Sequence, residues 1–258
     1  MSDKLTNIRL VLFDLDGTLY FKGKQIEGAA KTINYLRDKG YKLRFLTNTD
    51  SLTVNEIHKR IIDHGIEAKP EEVFSPLAAA REFIKQNNNC SVYFLGSDSV
   101  QKSVCDLNID PVKPHYVIIG DFRDKVSYET INNVFRMINN GAELLALNKG
   151  KVFFNDSGIN IDTGAFVSMF EYASGKTAGT LGKPNKLFFD IVLRSAGVSS
   201  EETLIVGDDI SVDIEGAKNA GTLGVLVKTG KFDEKTLNSS STKPDMVIDS
   251  VAGLADIL

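Results

Sequence analysis

Asp14-Leu15-Asp16-Gly17-Thr18 directly follows the short apolar run Leu10-Val11-Leu12-Phe13, so an expected buried strand ends at two carboxylates spaced two residues apart. In an open α/β sheet, ligands bind just outside the carboxyl ends of the strands, which is where this pair is expected. Gly17 permits a turn there because glycine adopts positive φ without steric cost. One carboxylate can then attack or bind a metal while the other transfers a proton. Taken alone, the pentapeptide fits an acidic turn without chemistry about equally well.

Strand-like and helix-like segments alternate along the chain, which predicts an α/β fold with a mostly parallel sheet. The 258 residues suffice for one large domain or two modest ones. The expected exception is a β-hairpin over Lys151–Ile161, turning at Asn155-Asp156-Ser157-Gly158. Further on, we expect a helix over Ser211–Ala220 and a polar loop over Asn238–Lys243.

Composition and charge exclude several classes of protein. The net charge of −4 and the pI of about 5.5 argue against a dedicated binder of nucleic acid or anionic membranes. No apolar run approaches the ~20 residues of a transmembrane helix, and the first residues lack the apolar stretch of a signal peptide. Cys90 and Cys105 have neither zinc-site spacing nor the density of a disulfide scaffold. We therefore expect reduced thiols and a cytoplasmic location.

Four loops carry polar side chains next to expected strands. They hold Asp14 and Asp16, then Thr47 and Asn48, then Gly182–Asn185, and finally Gly207–Asp209 with Asp213 four residues further on. Asp14, Asp208 and Asp213 offer hard oxygen ligands without thiolate or imidazole nearby, which suits Mg²⁺ rather than Zn²⁺. Carboxylates gathered at one cleft would repel each other strongly without such an ion.

The remaining side chains of these loops are hydrogen-bond donors. Thr47, Asn48 and Lys183 add a hydroxyl, an amide and an ammonium group, a mixture that fits a phosphate. Lys183 could also hold the Asp14 carboxylate in its ionised form. Each loop has a simpler interpretation as a helix cap or an exposed turn. The joint occurrence of all four outweighs these separate interpretations.

In order and spacing, the four loops resemble the signature motifs of haloacid dehalogenase-like (HAD) phosphatases. The matching residues are Asp14-x-Asp16-Gly17-Thr18, Thr47, Lys183-Pro184 and Gly207-Asp208-x4-Asp213. The long insert between the second and third motifs resembles the NagD-like subgroup, subclass IIA, with its C2-type α/β cap. Gly207–Ile210 and Leu226–Lys231 are similar to the branch that holds the phospholysine phosphohistidine inorganic pyrophosphate phosphatase and its HAD-like domain homologue.

The resemblance implies how the reaction would proceed. Asp14 would be the nucleophile that forms an aspartyl-phosphate, and Asp16 would be the general acid/base. Thr47, Asn48 and Lys183 would bind the phosphoryl oxygens.

The resemblance also implies how Mg²⁺ would be held. Asp14, Asp208 and the backbone carbonyl of Asp16 would be its direct ligands. Asp209 and Asp213 would orient the water molecules of the metal or lie just behind its ligands.

Two positions bear on catalytic competence. The second motif reads Thr47-Asn48-Thr49-Asp50 where many relatives have Thr-Asn-Asn, which puts a substrate contact from Thr49 in doubt. Some members of the pyrophosphatase branch carry Ser where this chain has Asp16, so the acid/base is present here.

The implied architecture is a Rossmann-like HAD core over residues 1–79 and 179–258, with a C2-type cap over residues 80–178 inserted into it. The cap is expected to select the substrate, and Asp162-Thr163-Gly164 is the candidate segment facing it. The expected partners are a small phosphorylated substrate and, through the cap, a second copy of the chain. Neither nucleic acid nor membrane is expected.

These features predict a Mg²⁺-dependent phosphatase that acts on small phosphorylated metabolites. Inorganic pyrophosphate or a phosphoamino acid is the alternative substrate. The same acidic cluster, Thr and Lys also occur in phospho-accepting switches, and a scaffold protein could keep the fold without turnover. Asp16 and the large insert argue against the switch.

Overall fold

A computed structural model describes residues 5–155 and 158–258 of the chain. Its strands are, in chain order, β1 (Leu10–Asp14), β2 (Tyr20–Phe21), β3 (Lys24–Gln25), β4 (Lys42–Leu46), β5 (Val73–Phe74), β6 (Val92–Leu95), β7 (Tyr116–Ile119), β8 (Glu143–Ala146), β9 (Val152–Asn155), β10 (Gly158–Ile161), β11 (Gly179–Thr180), β12 (Thr203–Gly207), β13 (Leu223–Val227) and β14 (Met246–Ile248). Its α-helices are α1 (Ala29–Asp38), α2 (Val54–Asp63), α3 (Pro76–Gln86), α4 (Asp98–Ser103), α5 (Tyr128–Asn139), α6 (Thr163–Ser174), α7 (Lys186–Ala196), α8 (Glu215–Ala220) and α9 (Glu234–Ser239). Over the described residues, no helix is both long and apolar enough to cross a membrane.

The chain forms two compact units. The first comprises the chain up to Thr47 together with Val54–Phe74 and Lys183–Leu258, and the second comprises Asn48–Thr53 and Ser75–Gly182. The expected division into a core of residues 1–79 and 179–258 and a cap of residues 80–178 stays a prediction about domain organisation.

The first unit is built on a six-stranded sheet in the order β14-β13-β12-β1-β4-β5. Every neighbouring pair is parallel, and β1 lies between β12 and β4. All five residues of β1 are buried, as expected for a parallel strand covered on both faces. Its apolar run is therefore continuous and does not alternate between apolar and polar residues.

This strand order determines which loops can meet. Asp14, the last residue of β1, pairs with Leu46 at the end of β4, and Phe13 pairs with Val206 near the end of β12. Because the three strands are parallel, the segments that follow them leave the same edge of the sheet. The expected α/β fold with a parallel sheet is confirmed.

The second unit has its own parallel sheet, in the order β11-β8-β7-β6. Helices α5 and α6 pack on it through an apolar core that includes Val134, Ile138, Val167 and Phe170. Strands β9 and β10 form a separate antiparallel pair, which confirms the expected hairpin. Its predicted turn includes residues 156 and 157, which lie outside the described residues.

The chain after β12 differs from the helix expected over Ser211–Ala220. It begins with a wider π-helical turn, Ile210–Ile214, and continues as the short helix α8. The polar loop expected over Asn238–Lys243 starts inside α9, whose first turn is capped by the Asp233 carboxylate. The N-cap stabilises this helix, which therefore extends into the polar residues expected to form the loop.

Candidate active site

Asp14 is buried at the carboxyl end of β1. Its Oδ1 accepts a hydrogen bond from Lys183 Nζ at 2.6 Å. Its Oδ2 is also buried, but it has no hydrogen-bond partner among the described residues. A buried oxygen of a carboxylate is costly to leave unpaired, which indicates that a ligand satisfies it.

Lys183 connects Asp14 to a second carboxylate. Its Nζ also donates to Asp213 Oδ1 at 2.7 Å, and the Lys183 and Asp213 side chains are each only 2% exposed. Burial alone would lower the pKa of Lys183, but the neighbouring Asp14 and Asp213 carboxylates raise it above its usual value. Lys183 is therefore a permanent cation inside the protein.

Asp208 follows β12 directly and is buried. One oxygen each of Asp14, Asp208 and Asp213 lies within 4.8 Å of the others. Burial and the nearby Asp14 raise the pKa of Asp208 to about 7. Burial likewise raises the pKa of Asp213 to about 6, although Lys183 opposes the shift.

The buried cluster fits a divalent cation. When all three carboxylates are ionised, they exceed the single ammonium of Lys183 by two negative charges. The site also offers the unpaired Oδ2 of Asp14 and a donor set of carboxylate oxygens, the ligands that Mg²⁺ prefers. On both charge and ligand chemistry, these residues suit Mg²⁺.

Asp16 lies in the turn after β1. The Gly17 N–H donates to Tyr20 O at 2.7 Å, and Gly17 has a φ of +99° that favours glycine. The surrounding loops remove part of the water from the Asp16 carboxylate and raise its pKa, while Arg60 and Lys183 act in the opposite direction. A raised pKa suits a group that must deliver a proton near neutral pH.

The other predicted site residues are placed differently. Thr47 is buried directly after β4, and its N–H donates to Phe74 O at 3.4 Å. Asn48 is grouped with the second unit, so its contact with a phosphate stays a prediction. The Asp209 carboxylate accepts hydrogen bonds from the N–H and hydroxyl of Ser211, which outweigh burial and lower its pKa.

The structure therefore brings four of the predicted site residues together, namely Asp14, Lys183, Asp208 and Asp213. Asp209 is instead the N-cap of the π-helical turn. Sequence reasoning missed Lys231, whose N–H donates to Asp208 Oδ2 at 2.6 Å. A signal was available, because the sequence resemblance already included Leu226–Lys231, although it gave this segment no role in the site.

Two family models match the chain. A haloacid dehalogenase-like hydrolase model matches residues 11–110, and a HAD-hydrolase-like model matches residues 180–254. Haloacid dehalogenase-like hydrolase domain-containing protein 2 of Mus musculus is 33% identical over 234 residues, covering 90% of this chain and 89% of the relative. Phospholysine phosphohistidine inorganic pyrophosphate phosphatase of Homo sapiens is 31% identical over 261 residues, covering 99% and 96%.

Comparison with solved structures supports the same family. NagD from Escherichia coli K-12 matches with a TM-score of 0.88 at 26% identity, covering 97% of this chain and 99% of its own. A 4-nitrophenylphosphatase from Thermotoga maritima matches with a TM-score of 0.87 at 26% identity, covering 98% of both chains. The chain belongs to the haloacid dehalogenase-like hydrolases. The expected NagD-like resemblance is confirmed.

Proposed function

We propose that the protein is a Mg²⁺-dependent phosphatase that hydrolyses small phosphorylated metabolites through an aspartyl-phosphate on Asp14. The observation that carries the proposal is the buried, unpaired Oδ2 of Asp14 beside Lys183, Asp208 and Asp213. The similarity to proteins named as phosphatases supports it.

Asp14 is suited to nucleophilic attack. Lys183 donates a hydrogen bond to Oδ1, and a carboxylate oxygen of Asp14 would attack the phosphorus atom. The new bond would join an Asp14 carboxylate oxygen to phosphorus, and the bond from phosphorus to the leaving oxygen would break. Mg²⁺, held by Asp14, Asp208 and the Asp16 carbonyl, would neutralise negative charge on the phosphoryl group.

Asp16 is suited to both proton transfers. It would first protonate the leaving oxygen and then take a proton from the water that hydrolyses the aspartyl-phosphate. Thr47, Asn48 and Lys183 would hold the phosphoryl oxygens during both steps. Asp209 and Asp213 would orient water molecules around the metal or support its ligands.

Substrate selection is proposed to lie outside this machinery. The proposed core of residues 1–79 and 179–258 grips only phosphate, so the cap of residues 80–178 would choose the leaving group. Asp162 caps α6 through Thr163 N–H and accepts a hydrogen bond from Asn148 Nδ2 at 2.9 Å, which gives this candidate segment a fixed shape. Inorganic pyrophosphate and phosphoamino acids are the alternative substrates, because a relative is named for them.

The test is phosphate release from a panel of sugar phosphates, 4-nitrophenyl phosphate, pyrophosphate and phosphoamino acids, with Mg²⁺ or with a chelator. Asp14→Asn should lower turnover by ~10³-fold or more, as loss of a nucleophile does. The matched control is Asp190→Asn, which removes a carboxylate that pairs with Lys186 on α7. Turnover that persists in Asp14→Asn, or one phosphorylation without turnover, would overturn the proposal, the latter in favour of a switch.

We also propose a homodimer formed through the cap and a cytoplasmic location. Val152, Ile159 and Ile161 of the β9–β10 hairpin are exposed, and apolar side chains grouped on one ribbon favour a protein contact. The proposed cytoplasmic location is supported by Cys90 and Cys105, which are free thiols, as is common in a reducing compartment. Light scattering of wild type and Ile159→Asp tests the dimer, because the charge should produce a monomer only if the hairpin is the interface.

A further inference from the structure

A loop outside the four motifs contacts two of them. Thr229, Gly230 and Lys231 follow β13, which is the neighbour of β12 in the sheet of the first unit. The loop reaches the turn after β1 at Gly17 and the carboxylate of Asp208 after β12. It therefore joins the ends of three strands.

Two hydrogen bonds make this connection. The Lys231 N–H donates to Asp208 Oδ2 at 2.6 Å. The Thr229 hydroxyl donates to the backbone carbonyl of Gly17 at 2.5 Å. Both donors come from the same three-residue loop, so its position determines both contacts.

Two glycines enclose the same carboxylate. A Cβ on Gly230, whose φ is +59°, would lie 2.1 Å from Asp208 Oδ2 and 2.4 Å from the Gly17 Cα. A Cβ on Gly17 would also lie 2.1 Å from Asp208 Oδ2. The Asp208 carboxylate is thus wedged between two backbone segments that only glycine allows to come so close.

This enclosure fixes the orientation of Asp208. One oxygen is held by the Lys231 N–H, and the two glycine Cα atoms restrict rotation of the carboxylate. A carboxylate oxygen of Asp208 lies within 4.8 Å of an oxygen of Asp14 and of an oxygen of Asp213. Groups that orient a metal ligand in this way typically change metal affinity by ~10–100-fold when they are removed.

We propose that the Thr229–Lys231 loop is a positioning element that holds Asp208 ready for the cation, with the Thr229 hydroxyl fastening the loop to Gly17. This inference rests on the proposed Mg²⁺ site. A loop that served only to pack the fold would affect stability, whereas a positioning loop affects cation affinity in a protein that is still folded.

The test compares Thr229→Val, which removes the hydroxyl at nearly constant volume, with Thr229→Ser, which keeps it. The matched control is Thr203→Val, because the buried Thr203 hydroxyl makes the same kind of bond, to Ser199 O at 2.8 Å, at the start of β12. Titration calorimetry of the full-length proteins with MgCl₂, without substrate, measures affinity. Thermal unfolding in chelator measures stability.

Thr229→Val should bind Mg²⁺ ~10–100-fold more weakly, whereas Thr229→Ser and Thr203→Val should bind it like wild type. At saturating Mg²⁺, kcat and KM of Thr229→Val should return towards the wild-type values. Gly230→Ala provides a second variant, in which the added Cβ displaces Asp208 directly, and it should lose Mg²⁺ affinity at least as strongly.

Equal Mg²⁺ affinity in wild type and both loop variants would overturn the inference and leave the proposed function intact. An equal loss in Thr229→Val and Thr203→Val would also overturn it, because general destabilisation would then be the cause. Failure of wild type itself to bind Mg²⁺ would instead overturn the proposed metal site, and the inference with it.

Discussion

Lys183 is the residue on which the charge balance of the site depends. Its ammonium contacts Asp14 and Asp213 at 2.6 and 2.7 Å, and it is almost completely removed from solvent. A buried ion pair adds little net stability, but removal of one partner leaves the other charge buried and uncompensated.

We expect Lys183→Met to abolish activity and to lower the free energy of unfolding by ~3–5 kcal/mol in chelator. The loss should be smaller in Mg²⁺, because a divalent cation would compensate part of the excess negative charge. Urea denaturation in both conditions measures the difference. Lys186→Met removes an exposed ammonium three residues away and should change stability by less than ~1 kcal/mol. A loss for Lys183→Met that is the same with and without Mg²⁺ would show that the cation does not compensate the charge of this cluster.

Asp50 is a buried acid of the second unit to which no catalytic role was assigned. Burial raises its pKa to about 7, and the nearby Asp162 and Asp121 act in the same direction, while the hydrogen bond from the Thr163 hydroxyl at 2.7 Å opposes the shift. The folded protein therefore holds a proton on Asp50 that the unfolded chain releases near its ordinary pKa of 3.8.

This shift predicts how stability depends on pH. Between about pH 4 and pH 7 the folded state binds the extra proton, so stability falls as pH rises through this window. Asp50→Asn cannot ionise at this position. Between pH 4 and pH 8, the free energy of unfolding of wild type should therefore fall relative to that of Asp50→Asn by up to ~4 kcal/mol. Chemical denaturation at the two pH values tests it. A constant difference between the two proteins would show that Asp50 ionises normally.

For individual residues, the sequence predicts which side chains carry the chemistry better than it predicts which groups they contact. Asp14 and Asp208 could be selected because each follows an apolar strand. The different placements of Asp209 and Asp213 could not be predicted from the resemblance, since it implied the same role for both. The structure puts Asp213 in the buried cluster and uses Asp209 as a helix cap.

The π-helical turn Ile210–Ile214 explains this difference at the scale of the element. The wider turn accompanies an Asp213 carboxylate that reaches back to Lys183 and the Asp209 N–H. A Cβ on Gly207 would lie 2.2 Å from Asp213 Cγ, so the carboxylate packs directly on the backbone of β12. Sequence periodicity does not separate a π-turn from an α-helix, because the apolar positions nearly coincide over so few residues.

An ion pair connects α1 to the segment before β5. The two terminal nitrogens of Arg37, Nη1 and Nη2, donate to the Glu72 carboxylate at 2.6 and 3.0 Å, and Glu72 is buried. Burial alone would raise the pKa of Glu72, but Arg37 and the Lys69 N–H lower it below its usual value.

We expect Arg37→Met to destabilise the protein by ~2–3 kcal/mol, because it leaves the Glu72 carboxylate buried without a partner. Arg9→Met should cost less than ~1 kcal/mol, since the Arg9–Glu202 pair is largely exposed. Denaturant midpoints of the two variants make the comparison. Equal losses would show that burial of Glu72 does not set the strength of the pair.

Element prediction failed where segments are short or where a start signal was overlooked. Helix α3 was not predicted, although Ser75 caps it and Pro76 occupies its first turn, which is a recognisable beginning. Strand β5 is only two residues long and is fixed by its pairing with β4, which no local pattern reveals.

At the scale of the whole molecule, the site exists only once the first unit has folded. Its residues come from positions 14–17, 183, 208–213 and 229–231, and the strand order places β12, β1 and β4 side by side. The sequence predicts a parallel sheet and hence a shared edge for the loops. It does not reveal which strands are neighbours, and for that reason no role in the site was predicted for the loop after β13.

The aspartyl-phosphate on Asp14 is tested most directly by locating the covalent phosphoryl group. The measurement uses Asp16→Asn with 4-nitrophenyl phosphate and Mg²⁺. Nitrophenolate leaves without protonation, so the first step does not need the Asp16 carboxylate. Hydrolysis of the aspartyl-phosphate does need it as a base, so the intermediate should accumulate in this variant. After rapid acid quench and borohydride reduction, peptide mass spectrometry finds the modified residue. An aspartyl-phosphate mechanism predicts a burst of nitrophenol matching the enzyme concentration and a reduced acyl group at Asp14. A burst without modification of Asp14, or with modification of another residue, would contradict it.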